Sequence, residues 1–479
     1  MLFENLRDFV SHLEREGELR RIHVSVSPRL EITEIADRVV KQGGPALLFE
    51  NPTGYKIPVL MNVMGTRRRM RMVLGSETIS DITENYLSLL DRTEAPTFFD
   101  KLRMLPCLKE LSDAFPTVVR DAPCQEIVLD PPSFEPFPIL TCWPGDGGPY
   151  VTLPLVFTRD PETGRPNCGI YRMQIFDATT SGMHWQVHKG GAHHHRTAMA
   201  RGERLPVSVA VGCDPVVIFA AACPLPPDTD EMLLAGLIRG RGVRMVKSRT
   251  NDILVPAESE IVLEGYVEPD ERRCEGPFGD HTGFYSLPDD FPVFHLTYVT
   301  HRGDPIYHAT VVGRPPMEDC FIGEAIERLF LPVIRRLLPE IVDIHMPFAG
   351  VFHNLLLVSI RKSYPGHARK VMHGLWGLGQ AMTTKVIVVV DRDVNIHDTE
   401  ETAWKVLNHI DPQRDLEFVL GPVDTLDHAS RLPNFGSKVG VDATRKWPEE
   451  GFVRPWPDEI RMSLEVREKI DSLWEQLGL

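Results

Sequence analysis

Between Pro123 and Pro149 the chain places seven prolines, at 123, 131, 132, 136, 138, 144 and 149. Proline lacks a backbone N–H and fixes φ, so such a stretch makes neither a helix interior nor a central strand. It reads as a connector, and it divides the chain. A length of 479 residues accommodates about three domains at roughly 150 residues each. Residues 1–115 mix helical and β-like segments and predict an N-terminal α/β domain. Residues 116–312 predict a β-rich central domain, barrel or sandwich. Residues 313–479 predict a second α/β domain ending in a helix.

Local patterns support this division. Leu6, Phe9, Val10 and Leu13 share one helix face, with Gly17 placed as a cap. In the centre, Val151 to Thr158, Asn167 to Asp177 and Met183 to Lys189 predict strands, separated by turns at 160–166 and 178–182. Pro206 to Ala222 continues with β-branched residues, and strands are also expected at Glu260 to Val267 and Val293 to Val299. Further on, Ile322 to Leu338 predicts a helix broken or kinked at Pro332. Lys385 to Asp391 is a short apolar run, as in a strand buried on both faces. Ser463 to Leu477 is amphipathic, as in a helix docking on a neighbouring subunit.

The charge balance of 52 − 67 = −15 argues against a nucleic-acid-coating protein, whose affinity comes from neutralising phosphates. The run Thr66 to Arg71 predicts a solvated helix face, with an anion site or partner contact as the other reading. Eight cysteines without a CxxC pair predict reduced, mostly buried thiols rather than a disulfide framework or zinc ribbon. The start, Met1 to Asn5, shows no signal-peptide pattern, and the most apolar stretch, Leu205 to Leu225, is interrupted by Pro206, Asp214 and Pro215. A cytoplasmic protein is expected.

Several strings carry chemistry. A strand at Met183 to Lys189 would align His184, Gln186 and His188 on one face. Asn167 and Arg172 are five apart, so an ideal strand would part them unless a bulge intervenes. Asp228 and Glu231 resemble a capping box before an apolar helix, yet a carboxylate in a first turn also faces a bound cation well. Glu275 and Asp280 lie in a Gly/Pro-bearing loop, and paired carboxylates can divide acid and base roles. His193-His194-His195 imitates a metal tract but reads as an exposed loop or helix start. Asp391 to Asn395 imitates a calcium loop without its glycine and terminal glutamate. Gly436-Ser437-Lys438 lacks the upstream glycine of a phosphate loop, although its lysine could still meet a phosphate.

Six strings in one order carry a resemblance: Leu30 to Arg38 (LEITEIADR), Gly44 to Asn51 (GPALLFEN), Asn167 to Arg172 (NCGIYR), Glu260 to Tyr266 (EIVLEGY), Glu275 to Gly283 (EGPFGDHTG) and Gly436 to Thr444 (GSKVGVDAT). With them the chain resembles the UbiD family of decarboxylases over essentially its full length. The resemblance implies an N-terminal α/β domain, a central split β-barrel that binds flavin, and a C-terminal α/β domain. It implies prenylated FMN supplied by a flavin prenyltransferase, manganese (Mn2+) held by Asn167, His188 and Glu231, and potassium (K+) at the cofactor phosphate. It implies cofactor contacts from Ile170, Tyr171, Arg172, His184, Trp185, Gln186, Lys189 and Gly190, with Lys438 on the phosphate side. Arg172, Glu275 and Asp280 would form the catalytic triad, with Asp280 delivering a proton to the carbon that loses CO2.

The implied substrate is 3-polyprenyl-4-hydroxybenzoate in quinone biosynthesis, with peripheral membrane contact at most. The alternative is another aromatic or heteroaromatic acid. Ubiquinone-pathway members carry arginine where His184 stands, which favours attention to that alternative. A long apolar channel would favour the prenylated acid, and a closed polar pocket the other. A homodimer or homohexamer is expected. From other classes, a non-catalytic flavin scaffold and an FMN oxidoreductase remain as competing readings.

Overall fold

The computed structural model describes residues 3–76, 83, 105–226 and 229–478. The helix Leu6–Arg15 buries Leu6, Phe9, Val10 and Leu13, as its spacing predicts, and the Asn5 side chain caps it by accepting from the Asp8 N–H. It leads into a four-stranded sheet in the order Leu19–Ile22, Ala46–Phe49, Val59–Met61, Tyr307–His308. The last strand comes from far along the sequence and pairs in parallel with Val59–Met61.

The basic run folds as the helix Arg67–Leu74, with Thr66 as its cap. It is not simply a solvated face. Arg67 pairs with Glu324 and Arg68 with Glu18, while Arg69 is fully buried on Glu18 and the Gly44 carbonyl. The acidic partners sit on other elements, which a local charge pattern does not reveal.

The proline segment holds little regular structure. It holds a single 3-10 turn, Pro123–Gln125, and an edge strand, Ile127–Val128, and it buries Phe134, Phe137 and Leu140. It leads into a seven-stranded sheet whose main path runs Thr180–Gly182, Asp289–His301, Ile261–Glu275, Leu205–Val211, Leu155–Arg159, Pro166–Ile170. Among the described residues no ladder joins the two ends of that path.

Three local expectations are corrected here. Residues 178–182 do not form a turn alone, because Thr180–Gly182 pairs with the long strand Asp289–His301. Met183 to Lys189 is not a strand: its amides bond locally or across gaps, as in Trp185 N–H to the Met183 carbonyl and Lys189 N–H to the Gln186 carbonyl. The apolar run after Pro206 splits into the strand Leu205–Val211 and the helix Pro215–Ala222. Asp214 caps that helix and proline opens it, a start signal that outweighs β-branched composition.

The C-terminal sheet has the order Ile341–His345, Leu355–Ile360, Val386–Asp391, Phe435–Asp442, Leu416–Pro422, parallel across its three central strands and antiparallel at both edges. The run at 385–391 is indeed a central strand. The helix Glu318–Leu337 continues through Pro332 instead of breaking there. Of seven described cysteines six are buried, and none forms a disulfide. No described helix is long and apolar enough to cross a membrane.

One close approach positions the future site. The helix Glu231–Arg239 crosses the helix Leu105–Ala114 at Gly236, where a Cβ would lie 1.9 Å from the Ala114 carbonyl oxygen. That neighbour is backbone and has no rotamer to yield. Gly236→Ala is therefore expected to lower stability by about 1–3 kcal/mol, the usual cost of overpacking, as read from urea unfolding.

Candidate active site

The strand Pro166–Ile170 leaves its ladder after Ile170, and the chain resumes pairing at Met173–Gln174 in a separate two-stranded sheet with Tyr150–Val151. Tyr171 and Arg172 occupy the corner between them. This switch of sheets resolves the spacing problem: Asn167 and Arg172 both reach the wall of one cavity of about 650 Å³. Ile170, Tyr171, His184, Gln186, His188, Lys189, Gly190, Glu231 and Asp280 line the same cavity.

Glu275 ends the long strand Ile261–Glu275, and residues 276–283 form the expected loop. The proline connector grips that loop. The Asp146 carboxylate accepts from the Gly279 N–H at 2.8 Å, Gly147 N–H donates to the Pro277 carbonyl at 2.7 Å, and the Tyr150 hydroxyl donates to the same carbonyl at 3.1 Å. Asp280 is thereby aimed at Arg172.

Arg172 is the hub. Its Nε donates to Glu275 Oε1 at 3.0 Å, its Nη1 to Asp280 Oδ2, and its Nη2 to the Ser286 hydroxyl at 3.1 Å. The guanidinium carbon lies 4.4 Å from the centre of the Phe278 ring. Glu275 is completely buried and does not itself line the cavity. It accepts from His184 Nδ1 at 2.9 Å.

Charge follows from these contacts. Burial opposes ionisation of Glu275, but the His184 hydrogen bond and the Arg172 charge outweigh it and hold the carboxyl below its usual range. Burial likewise opposes charge on Asp280, yet the His281 hydrogen bond and Arg172 hold it well below the usual range. Burial and the Arg172 charge push His184 down, so its imidazole is neutral and donates Nδ1–H to Glu275. Its buried Nε2 has no partner among the described residues.

A second group gathers on the same wall. Glu231 begins the helix Glu231–Arg239, which Asp230 caps by accepting from the Met232 N–H. Asp228, the expected cap, lies outside the described residues. Burial pushes the Glu231 carboxyl up to about 7, against its hydrogen bond from the Cys168 N–H. Asn167 packs so closely on Gly190 that a Cβ there would lie 1.9 Å from Asn167 Oδ1, and its buried amide nitrogen has no hydrogen-bond partner among the described residues. His188 is exposed on the cavity wall. A half-buried carboxylate with no cationic partner among the described residues, beside an unsatisfied amide and an imidazole, is a donor set that fits a hard-to-borderline divalent cation. A smaller, mostly apolar cavity of about 450 Å³ adjoins this wall and shares Asn167, Cys168 and Glu231.

Not every candidate converges. Trp185 is buried beside the cavity, its ring 5.5 Å from that of His195, and does not line it. Lys438 lies on the strand Phe435–Asp442 rather than a loop, away from the cavity wall, with Nζ donating to the Met382 carbonyl. Burial lowers its pKa to about 8. It acts at one remove: Met382 belongs to the turn Gly379–Thr383, whose Gln380 accepts from Lys189 Nζ at 3.1 Å. The histidine run begins the helix Gly190–Arg201, but His194 and His195 are buried, bonded to the Thr158 hydroxyl and the Glu268 carbonyl. Sequence reasoning missed Ser286, Asp319 and Phe352, each from an element with no motif of its own. His281 was visible beside Asp280 but carried no spacing signal.

Three family models describing domains of 3-octaprenyl-4-hydroxybenzoate carboxy-lyase match the chain: the N-terminal domain at residues 10–86, the Rift-related domain at 117–315 and the C-terminal domain at 320–443. The chain belongs to the UbiD family. An uncharacterized protein of Archaeoglobus fulgidus is 50% identical over all of this chain and 99% of its own length. Among solved UbiD-type folds, the closed form of vanillic acid decarboxylase from Sedimentibacter hydroxybenzoicus matches at TM-score 0.86 and 28% identity over the whole of both chains. The UbiD-class enzyme HmfF from Pelotomaculum thermopropionicum, in complex with FMN, matches at 0.80 and 28% over 97% of this chain and 98% of its own. The UbiD family is one of carboxy-lyases, and the three-domain fold expected from sequence is the one observed.

Replacing Arg172 by methionine leaves Glu275 and Asp280 buried without their cation. The expected loss is about 3–5 kcal/mol at pH 7, measured by chemical denaturation. In the wild type both carboxyls are depressed, so their stabilising contribution exists above the unfolded carboxyl range and is lost as pH falls through the folded values. In the variant the hydrogen bonds from His184 and His281 remain but the guanidinium charge is gone, so burial lifts both carboxyls relative to the wild type and the gap between the two proteins should narrow as pH falls.

Proposed function

We propose that this UbiD-family chain is a prenylated-FMN-dependent, non-oxidative decarboxylase of a small hydroxylated aromatic acid. The observation that carries this is a single guanidinium joined to two carboxylates at the wall of a cavity of about 650 Å³. That volume lies within the roughly 300–1,000 Å³ of ordinary small-molecule sites. Similarity to an HmfF structure in complex with prFMN, at TM-score 0.78 and 27% identity over 98% of this chain and 99% of its own, supports the cofactor.

Ile170, Tyr171, Arg172, His184, Gln186, Lys189 and Gly190 would hold the flavin, and Asn167, His188 and Glu231 a manganese ion beside its phosphate, with potassium nearby. When bound, the modified flavin supplies the electron sink that an sp2 carbon losing CO2 otherwise lacks. Arg172 orients the substrate carboxylate and keeps Glu275 and Asp280 ionised at rest. Neutral His184 holds Glu275 in place. Asp280, on the cavity wall, passes a proton to the carbon that has lost CO2.

The lining is mixed, but its charged and imidazole groups, Arg172, His184, Asp280, His281 and Asp319 among them, favour an acid without a polyprenyl tail over 3-polyprenyl-4-hydroxybenzoate. The relative acting on vanillic acid agrees with that choice. A quinone-pathway role would need an apolar channel leading from the Arg172 side.

The test is to co-express the chain with a flavin prenyltransferase, weigh the released cofactor, count manganese and assay CO2 release from hydroxybenzoates. Prenylated FMN with about one manganese per chain is expected. Asp280→Asn should keep the cofactor and lose roughly 10²–10⁴-fold in turnover. Plain FMN or no flavin in well-folded protein would overturn the function proposed here.

A further inference from the structure

Asp280 presents a chemical problem. Its Oδ2 receives Arg172 Nη1, and its Oδ1 receives both the His281 backbone N–H at 2.8 Å and His281 Nδ1 at 3.0 Å. A carboxylate so surrounded carries no proton of its own at neutral pH. Of its three donors, a guanidinium and a backbone amide do not surrender a proton near neutrality. Only the imidazole does.

We propose, on the basis of the decarboxylase function above, that His281 holds the proton Asp280 delivers. The acid of the reaction is then the His281–Asp280 pair, with Asp319 behind it. In the step, the Nδ1–H bond of His281 breaks as an O–H bond forms on Asp280 Oδ1. That O–H bond breaks in turn as the electron pair left by departing CO2 becomes a C–H bond. The imidazole is left neutral and takes a new proton from the Asp319 side, ultimately from water. No oxidant or reductant enters.

The surroundings of His281 suit this role. It lines the cavity with Asp280 and Asp319. Asp319 opens the helix Glu318–Leu337, and its buried Oδ1 has no partner among the described residues, which leaves it free to pass a proton. From the segment after the turn Phe348–Gly350, the His353 ring stands 5.4 Å away, edge-on, with Phe352 at 5.5 Å. Asp424, following the strand Leu416–Pro422, adds a further negative charge, and Arg172 acts through Asp280. Burial disfavours the imidazolium, but its hydrogen bond to Asp280 and the charges of Asp280, Asp319 and Asp424 raise its pKa. Burial lowers that of His353, so the second imidazole is neutral and does not compete for the proton. Burial brings Asp319 itself up to about 6, where it exchanges protons readily.

His281 is thus a positioning residue that acts through Asp280, and two readouts test it. The first is the 15N spectrum of histidine-labelled protein across pH, with no cofactor required. One imidazole should titrate above the ordinary value of about 6.5, vanish from His281→Gln and titrate lower in Asp319→Asn. The second is the holoenzyme's kcat for CO2 release, with deuterium incorporation into product measured in D2O. The wild-type rate should fall on the alkaline side as His281 loses its proton. His281→Gln should remove that limb and lower kcat about 100-fold with little change in KM.

An ordinary titration for every imidazole overturns the proposal, as does a His281→Gln enzyme with the wild-type rate and pH profile. An unchanged titration and profile in Asp319→Asn removes Asp319 from the relay. If the wild-type holoenzyme releases CO2 from no aromatic acid, the decarboxylase function fails instead, and the spectrum alone decides whether the pair shares its proton.

Discussion

A guanidinium buried against two carboxylates is expensive to desolvate and returns that cost only with near-complete hydrogen bonding. Arg172 meets the condition with Glu275, Asp280 and Ser286 around its edge and Phe278 over its face. Each partner comes from the strand end or loop that follows Ile261–Glu275, while Arg172 comes from the corner after Pro166–Ile170. The ion cluster therefore pins two distant stretches of chain together, and it does so at the cavity wall. Burial and the nearby guanidinium charge keep His184 neutral although both carboxylates favour its charged form.

The surrounding architecture serves this one contact. The proline-rich connector and the residue after it clamp the loop that carries Asp280 with the Asp146 carboxylate, the Gly147 N–H and the Tyr150 hydroxyl. A chain barred from regular structure keeps its own N–H and C=O groups available for such work. Elsewhere in the lining of the same cavity, the crossing at Gly236 sets the depth at which Glu231 begins its helix. A cluster with a positive centre and a cluster with an uncompensated carboxylate thus share one cavity, an arrangement suited to a ligand with distinct reactive and anionic ends.

Much of this was legible in the residues. The heptad-like face of Leu6 to Leu13, the apolar run at 386–391 and the Gly/Pro loop after Glu275 each have one local solution, and the fold adopts it. The strand expected at 183–189 failed because alternation of polar and apolar residues is satisfied equally well by a loop that packs one side on the core. Arg69 and Lys438 show a different limit of local reading. Their surroundings are made by elements dozens to hundreds of residues away, Glu18 and Met382 among them, and no local window contains that information. Asp319 was invisible for the same cause: a helix-opening acid is ordinary until a cavity is folded against it.

The strand Tyr307–His308 completes the N-terminal sheet from the far side of the central domain. On a ribosome, the edge at Val59–Met61 would stay unpaired until some 250 further residues had been made, a long interval for an open strand edge. The first domain's autonomy is therefore limited by topology rather than by its core. Parallel closure across such a separation is entropically slow. It also couples the N-terminal sheet to the central domain, so that local loosening near the N-terminus would be felt at Thr310 and Val312, two and four residues beyond that strand and already in the cavity wall.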